Sequence, residues 1–518
     1  MINQAFRLLN LSPRLVALIA ERWRRPRRSP PGSRATHVLS VSSALSLLAL
    51  CFGPPLLIGG SAPAVETTPL AGSAFANVVL TGEQEETANE VGAKEVTAEE
   101  ADSPNPGPAP GEHPAANTTL SRSSQTEKRN VVLVHLESTR ARSTTPYNEN
   151  LKTMPFLAEL AGNSLLAERA YVVLPRSSKG TVAVNCGIEP ALYPGPEFGP
   201  SAIPARCLTH LLKEQDYRTV FFTSVSNDVD NYWDVVSNLG YEEYYPSEST
   251  STEGFKATNY FGYEEDIMLG PSEGWLKEHN DGPFLAEYMT GTGHAGYDCV
   301  PNRYGYVPFS EENEDLDRYH NCLRMLDHFL ENLFDQYKRL GLYENTIFVL
   351  FGDHGEGFGE HGRYMHGDTP YEEGIRIPLI IHAPGWFKGG QREEGLSNEI
   401  DILPTVLEML GYEVKDGEYP GYSLLHPLPD ERTLRFSCIT NNKCLASLKG
   451  YEKYIYHYGN QPDEVFDLSE DPLEEHNLAD EYSKEELDER REALLAWRSR
   501  VNAQHGDILM NGTVYSEE

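Results

Sequence analysis

The chain has 518 residues, long enough for one large catalytic domain with additions, and 78 acidic against 43 basic side chains give it a formal net charge of -35. That balance excludes a nucleic-acid binder, which needs a basic footprint. It also repels a polyanionic substrate unless the site itself carries cations.

In chain order, residues 1–36 reverse the trend, with eight arginines (Arg7, Arg14, Arg22, Arg24, Arg25, Arg27, Arg28 and Arg34) against one acid, Glu21. No Asp, Glu, Lys or Arg occurs between residues 35 and 65. The apolar segment 37–64 is long enough to span a bilayer, although Gly53-Pro54-Pro55 would kink or end a helix there. A basic flank before such a segment keeps the N-terminus in the cytoplasm. Ala62-Pro63-Ala64 also fits a small-residue cleavage site. Two topologies are therefore expected: a membrane anchor with everything after residue 65 extracytoplasmic, or a secreted chain cut near Ala64. The long basic stretch favours the anchor. Residues 65–128, rich in Glu, Ala, Pro, Ser and Thr, read as a flexible acidic spacer with too little apolar surface to fold.

From residue 129 the texture is that of a catalytic domain running to about 505, followed by a tail, 506–518. "NVVLVHLES" (130–138) is an apolar run closing on polar residues, as a buried parallel strand does. "MPFLAELAGNSLLAERA" (154–170) has helical spacing. "ARCLTHLLKEQ" reads as a helix and "YRTVFFTS" as a strand. "GPFLAEYMT" is another strand, and "DRYHNCLRMLDHFLENLFDQYKRL" (317–340) a long amphipathic helix. "NTIFVLFGD" and "IPLIIHAPG" are again strands. Strands alternating with helices predict an α/β fold with a doubly wound, mostly parallel sheet flanked by helices. From about residue 417, "YEKYIYHYG" alternates like a strand and "SKEELDERREALLAWRSRVNAQ" (483–504) reads as a closing helix.

Doubly wound sheets bind ligands beyond the carboxyl ends of their strands. Those ends hold Glu137, His294 (in "MTGTGHAG") and Asp353-His354 (in "FGDHGEGFGEHG"), with His361 and His366 just after. Carboxylates and imidazoles gathered there are a candidate divalent-cation site, with Mn²⁺, Mg²⁺, Ca²⁺ and Zn²⁺ all open. His328, mid-helix, reads as structural. In "LPRSSKGTVAVNCGIEP" (174–190), a Ser ahead of an apolar run is by itself a helix N-cap signal. Six cysteines lie outside the apolar segment, which holds Cys51. An even number in an exported chain suggests disulfides, and chain order suggests Cys186–Cys207, Cys299–Cys322 and Cys438–Cys444, one of fifteen possible sets.

"NVVLVHLES", "FGDHGEGFGEHG", "YEEGIRIPLIIHAPG", "EIDILPTVLEMLG" and "EVFDLSEDPLEEHNLA" together resemble the sulfatase branch of the alkaline phosphatase superfamily, in family order over roughly 129–480. "SSKGTVAVNCGIEP" followed by "ARCLTHLLKEQDYRTVFF" is most similar to its phosphoglycerol and lipoteichoic-acid transferase subgroup, whose members are extracytoplasmic and membrane-tethered. The resemblance implies a nucleophile at a helix N-terminus about ten residues before a Cys-Gly, which is Ser177, with Ser178 or Thr181 as the alternatives. The sequence after Ser177 has neither the Pro/Ala nor the Arg that marks a sulfatase residue for conversion to formylglycine. An unmodified hydroxyl is thus implied, although the phospho-transferring relatives usually carry Thr there.

The same resemblance implies one divalent cation held by Glu137, Ser177, Asp353 and His354. It further implies Lys179 and His294 in catalysis, Arg176 and His366 at the substrate, and a small antiparallel sheet closing the C-terminal part. The expected activity is transfer or hydrolysis of a phosphoester, on a glycan or a lipid, through a phosphorylated serine. The alternatives are a sulfuric ester hydrolase of the same fold and an inactive binding homologue. Loops 246–260 and 297–309 are where specificity is expected.

Overall fold

The computed structural model of the protein describes residues 113–505, apart from 193–202, 228, 230, 231, 300, 301, 311 and 312. The basic segment 1–36, the apolar segment 37–64, most of the spacer (65–112) and the tail 506–518 lie outside the described residues. Among the described residues no helix is long and apolar enough to cross a membrane.

The last part of the expected spacer is folded. Strand β1 (Thr119–Arg122) pairs antiparallel with the strand Tyr412–Lys415, placing Leu120 opposite Val414. Ala115 is fully buried and Leu120 packs on the main core. These are too few apolar residues for composition to reveal, and the strand forms because a distant edge is offered to it.

The central sheet has nine strands. Five of them, β2 (Asn130–Leu136), β4 (Arg218–Thr223), β5 (Glu243–Tyr245), β6 (Phe284–Met289) and β7 (Thr346–Gly352), lie parallel in the spatial order β5-β4-β6-β2-β7. Beyond β7, β9 (Leu379–His382) runs antiparallel between β7 and β3 (Leu165–Tyr171), with the short β8 (Arg376–Ile377) also antiparallel to β3. The edge strand β10 (Gln391–Asn398) is parallel to β3. The sheet is therefore mixed and mostly parallel, as the alternation of elements predicts.

One predicted helix is half strand. Helix α1 (Pro155–Ala161) stops at the Gly162 cap, and Leu165–Tyr171 becomes β3. The apolar spacing in 154–170 suits a helix, but β3 has three strands waiting to pair with it, and tertiary pairing overrides local pattern.

Residues of opposite parity feed two separate cores, because successive strand side chains point to opposite faces. Val131, Leu133, Ile347 and Val349 pack beneath α2 (Ser177–Cys186), α3 (Leu208–Lys213) and, further along, α5 (Ile402–Met409). Val132, Val134, Phe348 and Leu350 pack against the 26-residue α4 (Glu314–Arg339). Full burial on both faces explains why these strands read as continuous apolar runs.

A four-stranded antiparallel sheet follows, built from Thr433–Ser437, Leu445–Lys449, Glu452–Tyr456 and Glu464–Asp467, with α6 (Lys484–Gln504) burying Leu494, Trp497 and Val501. All three disulfides form in chain order: Cys186–Cys207 joins the end of α2 to the start of α3, Cys299–Cys322 fastens the 297–309 loop to α4, and Cys438–Cys444 closes the first hairpin of the small sheet.

Candidate active site

The register of the central sheet brings three strand ends together. His135 of β2 lies opposite Phe351 of β7 and Leu136 opposite Gly352, so Glu137 emerges beside Asp353. On its other side β2 runs beside β6, and the backbone after β6 turns through 290–294 to present His294. Glu265 shapes that turn by accepting the Gly291 and Thr292 amides at 3.1 and 2.7 Å. Gly293 is required there, since a Cβ at that position would sit 2.0 Å from the Glu137 carbonyl oxygen.

Helix α2 approaches from the apolar side of the same strands. Gly180 permits the approach, because a Cβ there would lie 3.2 Å from Asp353. Ser177 is the first helical residue. The cap position belongs to Arg176, which makes no side-chain cap bond, so the N-cap reading of Ser177 is corrected. Its hydroxyl is instead turned to the strand ends, 3.4 Å from His354 Nε2. The two alternatives are occupied or enclosed. Thr181 Oγ1 bonds the Ser177 carbonyl and Tyr232 at 2.8 and 2.7 Å, and Ser178 is fully buried, whereas Ser177 retains 7 % exposure. Lys179 is fully buried in the same turn and Arg176 is half-buried.

Around Ser177 the other three residues implied as ligands converge. His354 Nε2 lies 3.6 Å from Glu137 Oε1 and 3.4 Å from Asp353 Oδ2. Asp353 Oδ1 accepts the amides of Ser138 and His354, both at 2.9 Å, and Ser138 Oγ donates to Glu137 Oε1 at 2.9 Å. Among the described residues Glu137 Oε2 has no hydrogen-bond partner, and Asp353 Oδ2 has only the imidazoles of His135 and His354 beside it, at 2.9 and 3.4 Å, although both carboxylates are fully buried.

Two dehydrated carboxylates cannot both ionise without a compensating charge. Burial and the Asp353 charge push Glu137 well above the usual carboxylate range. Asp353 is held well below it: burial opposes this, but His354 and His135 overcome it. Two buried carboxylates, a serine hydroxyl and a histidine nitrogen gathered in one pocket are a donor set that fits a divalent cation. Burial lowers His354 to about 4, leaving its nitrogen neutral and able to ligate.

The sequence reading misses three residues here. His135 is fully buried, 2.9 Å from Asp353 Oδ2 and 3.7 Å from Glu287 Oε1, and its ligand atom groups with those of Glu137 and Asp353 within 4.8 Å. Burial opposes its charge, yet Asp353 and then Glu287 raise it to about 10. Glu287 is held from behind by Asn185 and Tyr241 at 2.8 and 2.6 Å. Glu356, also fully buried, bonds His366 Nδ1 at 2.9 Å. An ionisable residue inside an otherwise apolar strand, as in "NVVLVHL" and "FLAEYM", is the signal that would have found the first two.

Above this layer His366 stacks on His354 with ring centres 3.9 Å apart, and His294 lies 5.8 Å further on. His294 stacks on Phe261, and its Nε2 is 3.5 Å from the Tyr260 hydroxyl. Burial lowers both histidines to about 4. His361 points elsewhere, bonding Glu373 at 2.8 Å and the Glu474 carbonyl at 3.0 Å. His328 stacks on Tyr304 outside the site.

Comparison with known proteins matches residues 129–412 to the sulfatase family model. The lipoteichoic acid synthase-like protein YvgJ of Bacillus subtilis is 26% identical over 310 residues, 57% of this chain and 50% of that protein. An ulvan-active sulfatase of Formosa agariphila is 24% identical over 448 residues, 77% of this chain and 85% of that protein. In structure the chain is similar to the lipoteichoic acid synthase LtaP of Listeria monocytogenes, with a TM-score of 0.58, 18% identity, and coverage of 74% of this chain and 96% of that one. The chain spans about half the length of YvgJ.

Proposed function

The chain belongs to the sulfatase family, and from that premise we propose that it is an extracytoplasmic, cation-dependent phosphoester transferase or hydrolase that works through Ser177. The observation that carries the reading is the Ser177 hydroxyl, freed from capping and lying against His354 beside two fully buried carboxylates, Glu137 and Asp353, the first of which keeps an unpartnered oxygen among the described residues. Glu137, Asp353, His354 and Ser177 would hold one divalent cation, which when bound supplies Lewis acidity and lowers the serine pKa. The nitrogen of His354 favours Mn²⁺ or Zn²⁺ over Ca²⁺, which prefers oxygen.

The remaining steps belong to the chain's own groups. Ser177 attacks phosphorus and displaces the first alcohol. The amides at the start of the ten-residue α2, with their partial positive charge, receive the non-bridging oxygens. Arg176 and Lys179 offset the remaining negative charge, and His294 binds the ester oxygen of the leaving group. Water or an acceptor hydroxyl then releases the phosphoryl group. The six paired cysteines are in keeping with an oxidising, extracytoplasmic compartment.

A second reading, sulfate-ester hydrolysis, is favoured by the long alignment with the ulvan-active sulfatase. The absence of Pro/Ala and Arg after Ser177 weighs against it. Aryl phosphodiester, phosphomonoester and sulfate ester are to be compared with Mn²⁺ supplied, for wild type and Ser177→Ala. Cation-dependent diester cleavage lost in Ser177→Ala supports the proposal. Sulfate cleavage alone, with formylglycine at 177 by mass spectrometry, would establish the second reading instead.

A further inference from the structure

Two histidines face the substrate side of the proposed centre, and they differ in what stands behind them. His294 Nδ1 has no hydrogen-bond partner among the described residues. His366 Nδ1 is 2.9 Å from Glu356 Oε2, and the other carboxylate oxygen, Oε1, accepts the Tyr297 hydroxyl at 2.6 Å. Glu356 is fully buried, and its main-chain carbonyl is tied to the Arg140 guanidinium at 3.0 Å. Tyr297 is equally constrained: its backbone sits in the left-handed region at φ 41°, its ring packs on Tyr319 and Phe358, and the Cys299–Cys322 bond anchors the loop two residues on.

We propose that Tyr297 and Glu356 form a positioning chain that fixes His366 as the base of the second half-reaction. A carboxylate can only accept, so His366 donates from Nδ1 and keeps its lone pair on Nε2. The ring is locked by its stack on His354, whose Nε2 contacts Ser177 Oγ. His366 keeps 14 % of its side chain exposed, so an incoming hydroxyl can reach it. In that step the acceptor oxygen bonds to phosphorus and its proton passes to His366 Nε2. The phosphorus–oxygen bond to Ser177 breaks, with the electron pair going to Ser177 Oγ, and later return of the proton regenerates the hydroxyl. Glu356 compensates the transient imidazolium, as the carboxylate does in a serine–histidine–carboxylate triad. His294 has no such support and is left to bind the ester oxygen.

The inference rests on the phosphoester reading, and its test separates the two. Purified protein with Mn²⁺ is mixed with an aryl phosphodiester, following both alcohol release and the mass of the Ser177 peptide. In Glu356→Gln the amide can present its NH₂ to Nδ1 and turn the donor to the wrong nitrogen. The first turnover is expected to persist, while steady-state release falls on the order of 100-fold and phosphorylated Ser177 accumulates. Tyr297→Phe should show the same signature more weakly, and Glu356→Asp should restore part of the rate. If both phases fall equally, or if Glu356→Gln turns over like wild type without phosphoserine, the positioning chain is wrong. If Ser177→Ala cleaves the diester as wild type does, the phosphoester reading itself falls. Thermal melting of each variant identifies any that fail to fold, and for those Tyr297→Phe decides.

Discussion

Gly293→Ala isolates geometry from chemistry, because it removes no reacting group. A Cβ at 293 would sit 2.0 Å from the Glu137 carbonyl oxygen and 3.2 Å from its carbonyl carbon. Relief to even a tight contact needs a shift of about 1 Å, and the obstacle is backbone, so no side chain can swing aside. The shift must be taken up either by the end of β2, which carries Glu137, or by the turn that carries His294. Overpacking of this kind costs about 1–3 kcal/mol of stability, which a folded domain of this size survives. A misplacement of about 1 Å at reacting groups costs about 100-fold in rate. The expected result is a folded protein with a melting point a few degrees lower, kcat down on the order of 100-fold, and weaker Mn²⁺ binding by calorimetry. Activity and cation affinity within twofold of wild type would refute the claim that the packing of 293 against 137 sets the site.

Other consequences can be checked alongside. Ser177→Ala should abolish phosphodiester cleavage while leaving thermal stability unchanged, since the hydroxyl caps nothing. Chelation should silence the enzyme, with Mn²⁺ or Zn²⁺ restoring it better than Ca²⁺, and Glu137→Gln should weaken cation binding measured by equilibrium dialysis. Lys453 is fully buried between Glu474 at 2.6 Å and Glu372 at 3.3 Å. Lys453→Met takes the cation from buried Glu474 and leaves Glu372 only Arg376 at 3.5 Å, and should cost about 3–5 kcal/mol in denaturant titration. Asp327 accepts the Phe156 and Leu157 amides at 2.8 and 2.9 Å, and burial raises its carboxyl to about 7, against about 3.9 in the unfolded chain. The native state therefore binds more protons between pH 4 and 7, and this group's stabilisation is lost as pH rises through that window. Asp327→Asn should flatten the slope of stability against pH there.

Much of the site is legible in the sequence, because buried parallel strands announce their own ends. An apolar run that stops at Glu137 or at Asp353-His354 fixes where the polar residues must emerge, and the sheet rule then gathers them. His135 and Glu287 are hidden by the same logic: each sits inside the run, where apolar neighbours suggest only core. The two pair with each other, and His135 with Asp353 as well, across strands that are distant in sequence. The pairing of Glu356 with Tyr297 spans 59 residues and a loop with a disulfide, so no local pattern carries it. The strand Leu165–Tyr171 carries a helical pattern for the reverse reason, since its apolar spacing is satisfied by neighbours supplied only by the fold.

The division of the central sheet into two cores also limits how the gene can change. His135 shares a face with Val131 and Leu133, and the next outward position on that face is Glu137, alongside Phe351 and Asp353. Deleting one residue from β2 would either send its apolar side chains to the wrong cores or, if these held their places, turn the carboxylate toward the α4 side of the sheet. Removing two would keep the faces but retract Glu137 by about 7 Å along the strand. Indels within β2 and β7 should therefore be purged far more strictly than substitutions, and length variation among relatives should collect in the loops beyond Asp353 and His294.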